Sequence, residues 1–325
     1  MSLLYQTAAL RQLESLAYEH QIATPYQLMQ RAAHAAWSYC QCRYPDQSRY
    51  TIYCGKGNNA GDGLVLARLA RMAGKQVEVV LVCGDVMTTS ESQQALADAI
   101  EAGVSTGHEL SDVPQQGVII DALLGIGIQG EIREPIAAAV ALINKINLPV
   151  LAIDIPTGLD ADNGSAHDQV VHADATVTFI AMKSGMLTGK GPACCGNICV
   201  NNLGLDDSLF STVSPTAETL LWHQVSPLLR RRQRDAHKGD HGHTLVIGGD
   251  YGMGGAVRMA AEAALRVGAG LVTVATRPEH VPIVSGTRPE IMCHQVANAD
   301  DLTPLLERCN VVVIGPGLGQ TDWAK

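Results

Sequence analysis

The stretch YTIYCGKGNNAGDGLVLARLA, residues 50–70, runs an apolar strand into a glycine loop and then into a helix. Gly55, Gly57 and Ala60 fit the spacing G-x-G-x-x-G/A, in which small residues let the backbone turn tightly and approach a pyrophosphate at a helix N-terminus. The stretch therefore predicts a dinucleotide-binding strand–loop–helix unit. That fingerprint works through backbone N–H groups and has no need of the polar side chains Asn58, Asn59 and Asp62 beside it. The loop is expected to hold something more than a pyrophosphate.

Outward from this unit, apolar runs alternate with helical segments: QVEVVLVC, SQQALADAIEAG, GVIIDALLG, EPIAAAVALINKI and PVLAIDIPTG. Near-continuous apolar strands separated by helices predict a parallel sheet covered on both faces, an α/β fold. DATVTFIAM and GNICVNNLG should extend the sheet. Upstream, MSLLYQTAALRQLESLAYEHQ reads as an amphipathic helix, and Thr24 with Pro25 reads as the N-cap and first position of a second helix. A Ser/Thr/Pro-rich break over residues 206–219 predicts a first domain over 1–212, a linker over 213–224 and a second domain over 225–325. The second starts afresh with GHTLVIGG, the turn DYGMGG, the helix AVRMAAEAALRVG and the strand GLVTVAT. It reaches NVVVIGPGLG and reads as an interrupted domain whose last strand lacks partners.

With 46% hydrophobic and 17% charged residues and 32 glycines, the composition is that of a globular α/β protein. A net charge of -9 argues against a nucleic-acid partner. The run Arg230, Arg231, Arg232 and Arg234 is the basic exception and reads as solvated linker. No stretch approaches the ~20 apolar residues of a membrane span, and the N-terminus lacks the features of a signal peptide. Nine cysteines without a C-x-x-C pair suit free thiols in a reducing cytoplasm.

Ligands of a parallel sheet bind beyond the carboxyl ends of its strands. Three strand runs end there in polar groups: Asn58 and Asn59 after YTIYC, Asp121 in GVIID, and Asp154 followed by Thr157 after VLAI. Asn59, Asp121 and Thr157 together offer amide, carboxylate and hydroxyl oxygens, a hard set suited to an alkali or alkaline-earth cation. A second glycine loop, Gly125, Ile126, Gly127, Ile128, Gln129, Gly130 and Glu131, follows Asp121. Two such loops at adjacent strand ends can clamp two parts of one phosphorylated ligand. Lys183 reads as a surface lysine, with a phosphate contact as the other option.

GKGNNAGDGLVLARLA, DALLGIGIQGEIREP and AIDIPTGLD resemble the N-terminal domain of the bifunctional NAD(P)H-hydrate repair enzymes, over most of the first 205 residues. The resemblance implies a Rossmann-like three-layer domain that interconverts the R and S forms of NADHX and NADPHX, the hydrated nicotinamide cofactors. It implies substrate contacts at Asn58, Asn59, Ala60, Gly61 and Asp62, from Gly125 through Glu131, and at Asp154. Potassium is implied at Asn59, Asp121 and Thr157. The family usually has glycine where Ala60 stands. The hydrate's hydroxyl sits on the ring carbon beside the ring nitrogen, so the nitrogen lone pair can expel it and water can return to either face. A carboxyl group beside that hydroxyl can relay the proton, and Asp154 is the candidate.

RRRQRDAHKGDHGHTLVIGG, GMGGAVRMAAEAALRVGAGLVTVAT and VVVIGPGLG resemble the start of the family's ribokinase-like C-terminal domain. That implies ADP- and Mg2+-dependent dehydration of the S-hydrate in the full-length protein, with hydrate contacts at Ala256, Gly317 and Gly319. The G-T-G-D type motif for phosphoryl transfer has no counterpart here, so residues 1–325 are expected to epimerise without dehydrating. A small-molecule substrate is expected, with no nucleic acid and no membrane, and self-association into a homo-oligomer is left open. Two other readings stand beside this one. An NAD-dependent oxidoreductase would use Asp85 for the ribose, although His34, His108, His167 and His172 offer no evident proton relay. A non-catalytic nucleotide-binding scaffold would be expected to have lost Asn59, Asp121 and Asp154, which are present.

Overall fold

The computed structural model describes residues 3–110, 113–127, 131–166, 169–229 and 231–325. Three of the expected substrate contacts, Ile128, Gln129 and Gly130, lie outside these residues, as do His167 and Arg230. The chain forms two compact units, Met1–Val225 and Ser226–Lys325.

The first unit contains strands β1 (Leu3–Tyr5), β2 (Arg49–Cys54), β3 (Gln76–Leu81), β4 (Ser105–Gly107), β5 (Val118–Ala122), β6 (Val150–Ile153), β7 (Ala175–Phe179), β8 (Met182–Lys183), β9 (Asn197–Asn201) and β10 (Ala217–Glu218). Its main helices are α1 (Thr7–Glu19), α2 (Pro25–Arg43), α3 (Asn58–Met72), α4 (Ser90–Glu101) and α5 (Ile136–Ile143). Seven strands make one parallel sheet in the order β4-β3-β2-β5-β6-β7-β9. β5, β6 and β7 are buried along their whole length, which explains their unbroken apolar runs. Successive residues face opposite layers: Ile52, Cys54 and Ile120 join the core under α1 to α4, whereas Tyr53, Ile119 and Ala152 pack with Ala139, Val140 and Ile143 of α5. DATVTFIAM and GNICVNNLG do extend the sheet, pairing in parallel from Ala175↔Asn197 to Phe179↔Asn201.

Thr24 caps α2 as its sequence indicates. Its hydroxyl accepts from Gln27 N at 3.2 Å, while Gln27 Oε1 accepts from Thr24 N at 2.9 Å. The helix expected at the N-terminus begins at Thr7, and a strand the sequence did not announce precedes it. β1 pairs in parallel with β8, Tyr5 opposite Lys183, and antiparallel with β10. Three residues are too few for a periodic pattern, yet this strand ties the start of α1 to the site described below.

From β2 the chain steps outward through β3 to β4, then returns to β5 on the other side of β2. The reversal lies between β2 and β5, and a crevice opens beyond their carboxyl ends. Gly55 is small because those two loops touch: a Cβ placed there would lie 2.1 Å from the Leu123 carbonyl oxygen. The close packing of α3 on the sheet falls at Gly63, where a Cβ would stand 2.5 Å from that of Ala122. Gly55→Ala should destabilise the unit by ~1–3 kcal/mol through backbone displacement. Urea denaturation measures this, and an unchanged midpoint would show that the two loops separate at no cost.

In the second unit, β11 (His243–Ile247), β12 (Leu271–Thr276), β13 (Met292–Gln295) and β14 (Val311–Ile314) form a parallel sheet in the order β13-β12-β11-β14. The last strand is not partnerless, contrary to the sequence reading: β14 pairs with β11 from Thr244↔Val311 to Ile247↔Ile314. It forms an edge, with Val311 and Ile314 exposed. The helix Gly254–Val267 joins β11 to β12 and ends on Gly268 in the left-handed conformation.

Candidate active site

A cleft of about 510 Å³ opens at the sheet reversal of the first unit. Both glycine loops reach it, through Gly57, Asn58, Asn59 and Asp62 on one side and Gly125, Ile126 and Gly127 on the other. Asp154, Phe179 and Lys183 line it from the strand ends, and Leu10, Glu14 and Tyr18 from α1. The first bond inside α3 runs from Gly61 N to Gly57 O at 3.1 Å, so the preceding amides point out of the helix N-terminus, the arrangement that receives phosphate.

Not every expected contact residue lines the cleft. Ala60 is fully buried, Gly61 packs against Met29, and Glu131 is exposed outside the lining. Asn58 Oδ1 accepts from the Thr89 hydroxyl at 2.7 Å, tying the loop to the cap of α4. Asn59 is different: it is 7% exposed, and neither its Oδ1 nor its Nδ2 has a hydrogen-bond partner. Its side chain lies beside Gly125, where a Cβ would come within 3.4 Å of it. A buried, unpartnered amide is costly, and both polar atoms of Asn59 remain available to a ligand.

Asp121 and Thr157 are in direct contact. The Thr157 hydroxyl donates to Asp121 Oδ1 at 2.8 Å and its amide donates to Oδ2 at 2.8 Å. Leu123 N adds a third bond to Oδ1 at 3.2 Å. Burial pushes the Asp121 carboxyl up to about 6, against the lowering effect of the Thr157 and Leu123 bonds. The loops bearing the three expected cation ligands are thus brought together, with two of those ligands already bonded. Among the described residues, no group of three or more His, Cys, Asp and Glu is placed to hold a metal ion.

Asp154 has a left-handed backbone, φ 67°, which a residue other than glycine adopts rarely. Its Oδ1 forms an ion pair with Lys183 Nζ and accepts from Phe179 N at 3.3 Å. Lys183 is not the surface lysine that its sequence position suggested. It is 1% exposed, and its ammonium also donates to Thr178 Oγ1 at 2.6 Å and Phe179 O at 3.0 Å. Glu14 and Tyr18 escaped the sequence reading altogether, since a carboxylate and a phenol on an amphipathic helix carry no local mark of a site.

The carboxyls here affect one another. Asp62 keeps some surface exposure, yet the cleft walls desolvate its carboxyl and push it well above the ordinary range. The negative charges of Asp154 and Glu14 add to that rise, and Lys183 opposes it. Glu14 is raised too, by burial first and then by Asp154, with Lys183 and Arg11 opposing.

In the second unit, the structure gathers Ala256, Gly317 and Gly319 around a residue that sequence reading passed over. A Cβ at Gly317 would lie 3.0 Å from that of Ala256, and one at Gly319 would lie 2.9 Å from Asp250 Oδ2. Asp250 is 1% exposed, and its carboxylate accepts from Arg277 Nε at 2.8 Å, Tyr251 N at 2.9 Å and the Thr321 hydroxyl. The Thr321 bond and then those of Tyr251 and Arg277 hold its carboxyl below the usual range. The Arg277 guanidinium lies over the rings of Tyr251 and Trp323, at 4.3 and 4.8 Å from their centroids.

Comparison with known proteins agrees with this division. A family model described as YjeF-related protein N-terminus matches residues 25–185, and one described as NAD(P)H-hydrate dehydratase matches residues 244–325. The chain is 53% identical over 330 residues to the bifunctional NAD(P)H-hydrate repair enzyme Nnr of Coxiella burnetii, covering 100% of the chain and 67% of that protein. It is 43% identical over 307 residues to the Nnr of Escherichia coli, covering 93% of the chain and 58% of that protein. The chain therefore spans 67% and 58% of the lengths of these two relatives. The crystal structure of yeast ynu0, YNL200c, shares the fold, with a TM-score of 0.57 at 18% identity over 66% of this chain and 96% of that one. Identity this high along the whole chain, with both domain types in it, leads to one assignment: the chain belongs to the family of bifunctional NAD(P)H-hydrate repair enzymes.

Proposed function

We propose that the first unit interconverts the R and S epimers of NADHX and NADPHX, and that the second serves ADP- and Mg2+-dependent dehydration of the S epimer in the whole protein. One observation carries the first part: both glycine loops and the Asp154–Lys183 ion pair line a single cleft at the sheet reversal. The α3 N-terminus and the Gly125 loop would hold the pyrophosphate and ribose phosphates, which brings the nicotinamide ring towards the strand ends. There the ring nitrogen expels the hydroxyl as water and leaves a conjugated iminium. Water returns to either face, and the Asp154 carboxylate takes its proton. The neighbouring Lys183 ammonium holds that carboxylate in place through Oδ1.

The residues present fit a potassium ion. Asn59 brings a buried amide oxygen without a partner, and Asp121 and Thr157 bring a carboxylate and a hydroxyl from the adjoining strand ends. When bound, the ion would supply positive charge beside the dinucleotide and offset the Asp121 carboxylate. Potassium should then raise the melting temperature more than lithium at equal ionic strength, and Asp121→Ala should erase the difference. Equal responses of the parent protein to the two ions would remove the cation site.

An oxidoreductase is not favoured, because Asp85 is exposed and lies outside the cleft lining. All nine cysteines are free, which supports a reducing cytoplasm as its compartment. Among the described residues, no helix is long and apolar enough to cross a membrane. The test is direct: purified protein is mixed with R-NADPHX, and the S epimer is followed by chromatography. Conversion above the uncatalysed rate supports the reading. Absence of conversion, with absorbance at 340 nm changing on addition of NAD and an alcohol, would replace it with the oxidoreductase.

A further inference from the structure

Epimerisation by loss and return of water needs a proton for the departing hydroxyl as well as a base for the returning water. Asp154 is the carboxylate of an ion pair with Lys183, the arrangement of a base. A second carboxyl lines the same cleft, from α3 and not from the strand ends. Asp62 sits in the second turn of α3, past the glycine loop, and Glu14 of α1 lines the cleft with it, near enough for its charge to act on the Asp62 carboxyl. Asn59, more than nine-tenths buried and unpartnered, lines this same cleft and marks it as a place built for a ligand.

We propose that Asp62 is the proton donor of the epimerisation, with Asp154 as its complementary base and Glu14 as a positioning residue that acts through Asp62. The inference rests on the epimerase reading above. The charged and titratable groups lining the cleft around Asp62 are Arg11, Glu14 and Tyr18 of α1, Lys56 of the glycine loop, Glu91 of α4, and Asp154 and Lys183 at the strand ends. Desolvation and the charges of Asp154 and Glu14 all favour its neutral form, and Lys183 is already committed to Asp154. A carboxyl held neutral and a carboxylate held in an ion pair, lining one cleft, divide into acid and base.

The step balances. The ring nitrogen's lone pair forms the C=N bond as the ring C–O bond breaks, and the oxygen leaves as water with the Asp62 proton. Water then adds through its oxygen to the ring carbon, the C=N pair returns to nitrogen, and the released proton passes to the Asp154 carboxylate. One proton has moved from Asp62 to Asp154. The reverse reaction returns it, and solvent returns it when turnover runs one way.

The test uses the full chain with R-NADPHX, after the wild type has been shown to interconvert the epimers; failure at that stage would fall on the epimerase reading and not on this one. Asp62→Asn should lower kcat by at least ~10²-fold, the size of a general-acid contribution, with substrate affinity retained. Asp62→Glu should restore part of the rate. The wild-type rate should fall at high pH as the neutral acid is lost. Glu14→Gln removes a negative neighbour, makes Asp62 ionise more easily and should move that fall to lower pH. A merely structural Glu14 would scale the rate equally at every pH. Near-normal kcat in a folded Asp62→Asn protein, or a high-pH fall left in place by Glu14→Gln, would overturn the proposal. Should Asp62→Asn not fold, the Glu14→Gln profile decides.

Discussion

Asp154→Asn lowers the rate of R-to-S conversion by at least ~10²-fold while the first unit stays folded. Asparagine is among the few residues other than glycine that tolerate the left-handed conformation, so the φ of 67° at this position survives. The new amide oxygen still accepts from Phe179 N, and the Lys183 ammonium keeps its bonds to Thr178 and Phe179. Shape is retained and the titratable group is lost. Circular dichroism establishes the fold and chromatography of the epimers gives the rate. A folded variant of near-normal activity would take Asp154 out of the chemistry.

The second large effect falls on stability. Lys183→Met removes the ammonium from an ion pair whose side chains are 2% and 14% exposed, and leaves the Asp154 carboxylate in the cleft wall without its partner. Removing one member of a buried pair costs ~3–5 kcal/mol, most of it from the charge left behind. Two further bonds disappear with the lysine, to Thr178 Oγ1 and Phe179 O. Combining Lys183→Met with Asp154→Asn should cost less than the sum of the single changes, because the double variant strands no charge. Urea denaturation of the four proteins gives the coupling. Strict additivity would mean that the two side chains do not act as a pair.

What the sequence carried was the part written in periodic strands. β2, β5 and β6 are near-continuous apolar runs, so the polar residues at or just past their ends, Asn59, Asp121, Asp154 and Thr157, can be assigned to one sheet edge from the sequence. The three-residue strands β1 and β4 gave no period to read. Lys183 followed an apolar run and looked like its exposed end, but β8 turns it inward beside β1, a pairing between residues far apart in the chain. Glu14 was hidden for a related reason. Its helix shows an amphipathic face locally, while its place in the same cleft as Asp62 depends on how α1 packs in the folded unit. The fingerprint itself was only partly legible. Its third small position, Ala60, is buried, and the closest helix-to-strand packing falls on Gly63, three residues later.

The central claim is that the cleft exchanges the ring hydroxyl with water by acid–base catalysis. R-NADPHX converted by the protein in oxygen-18 water tests it most directly, with mass spectrometry of both epimers. Loss and return of water predicts that the heavy oxygen enters the S epimer with every conversion, and the remaining R epimer by reversal, and that Asp154→Asn slows both together. Epimers that equilibrate while keeping their original oxygen would contradict the account, because the ring carbon would then be inverting without release of its hydroxyl.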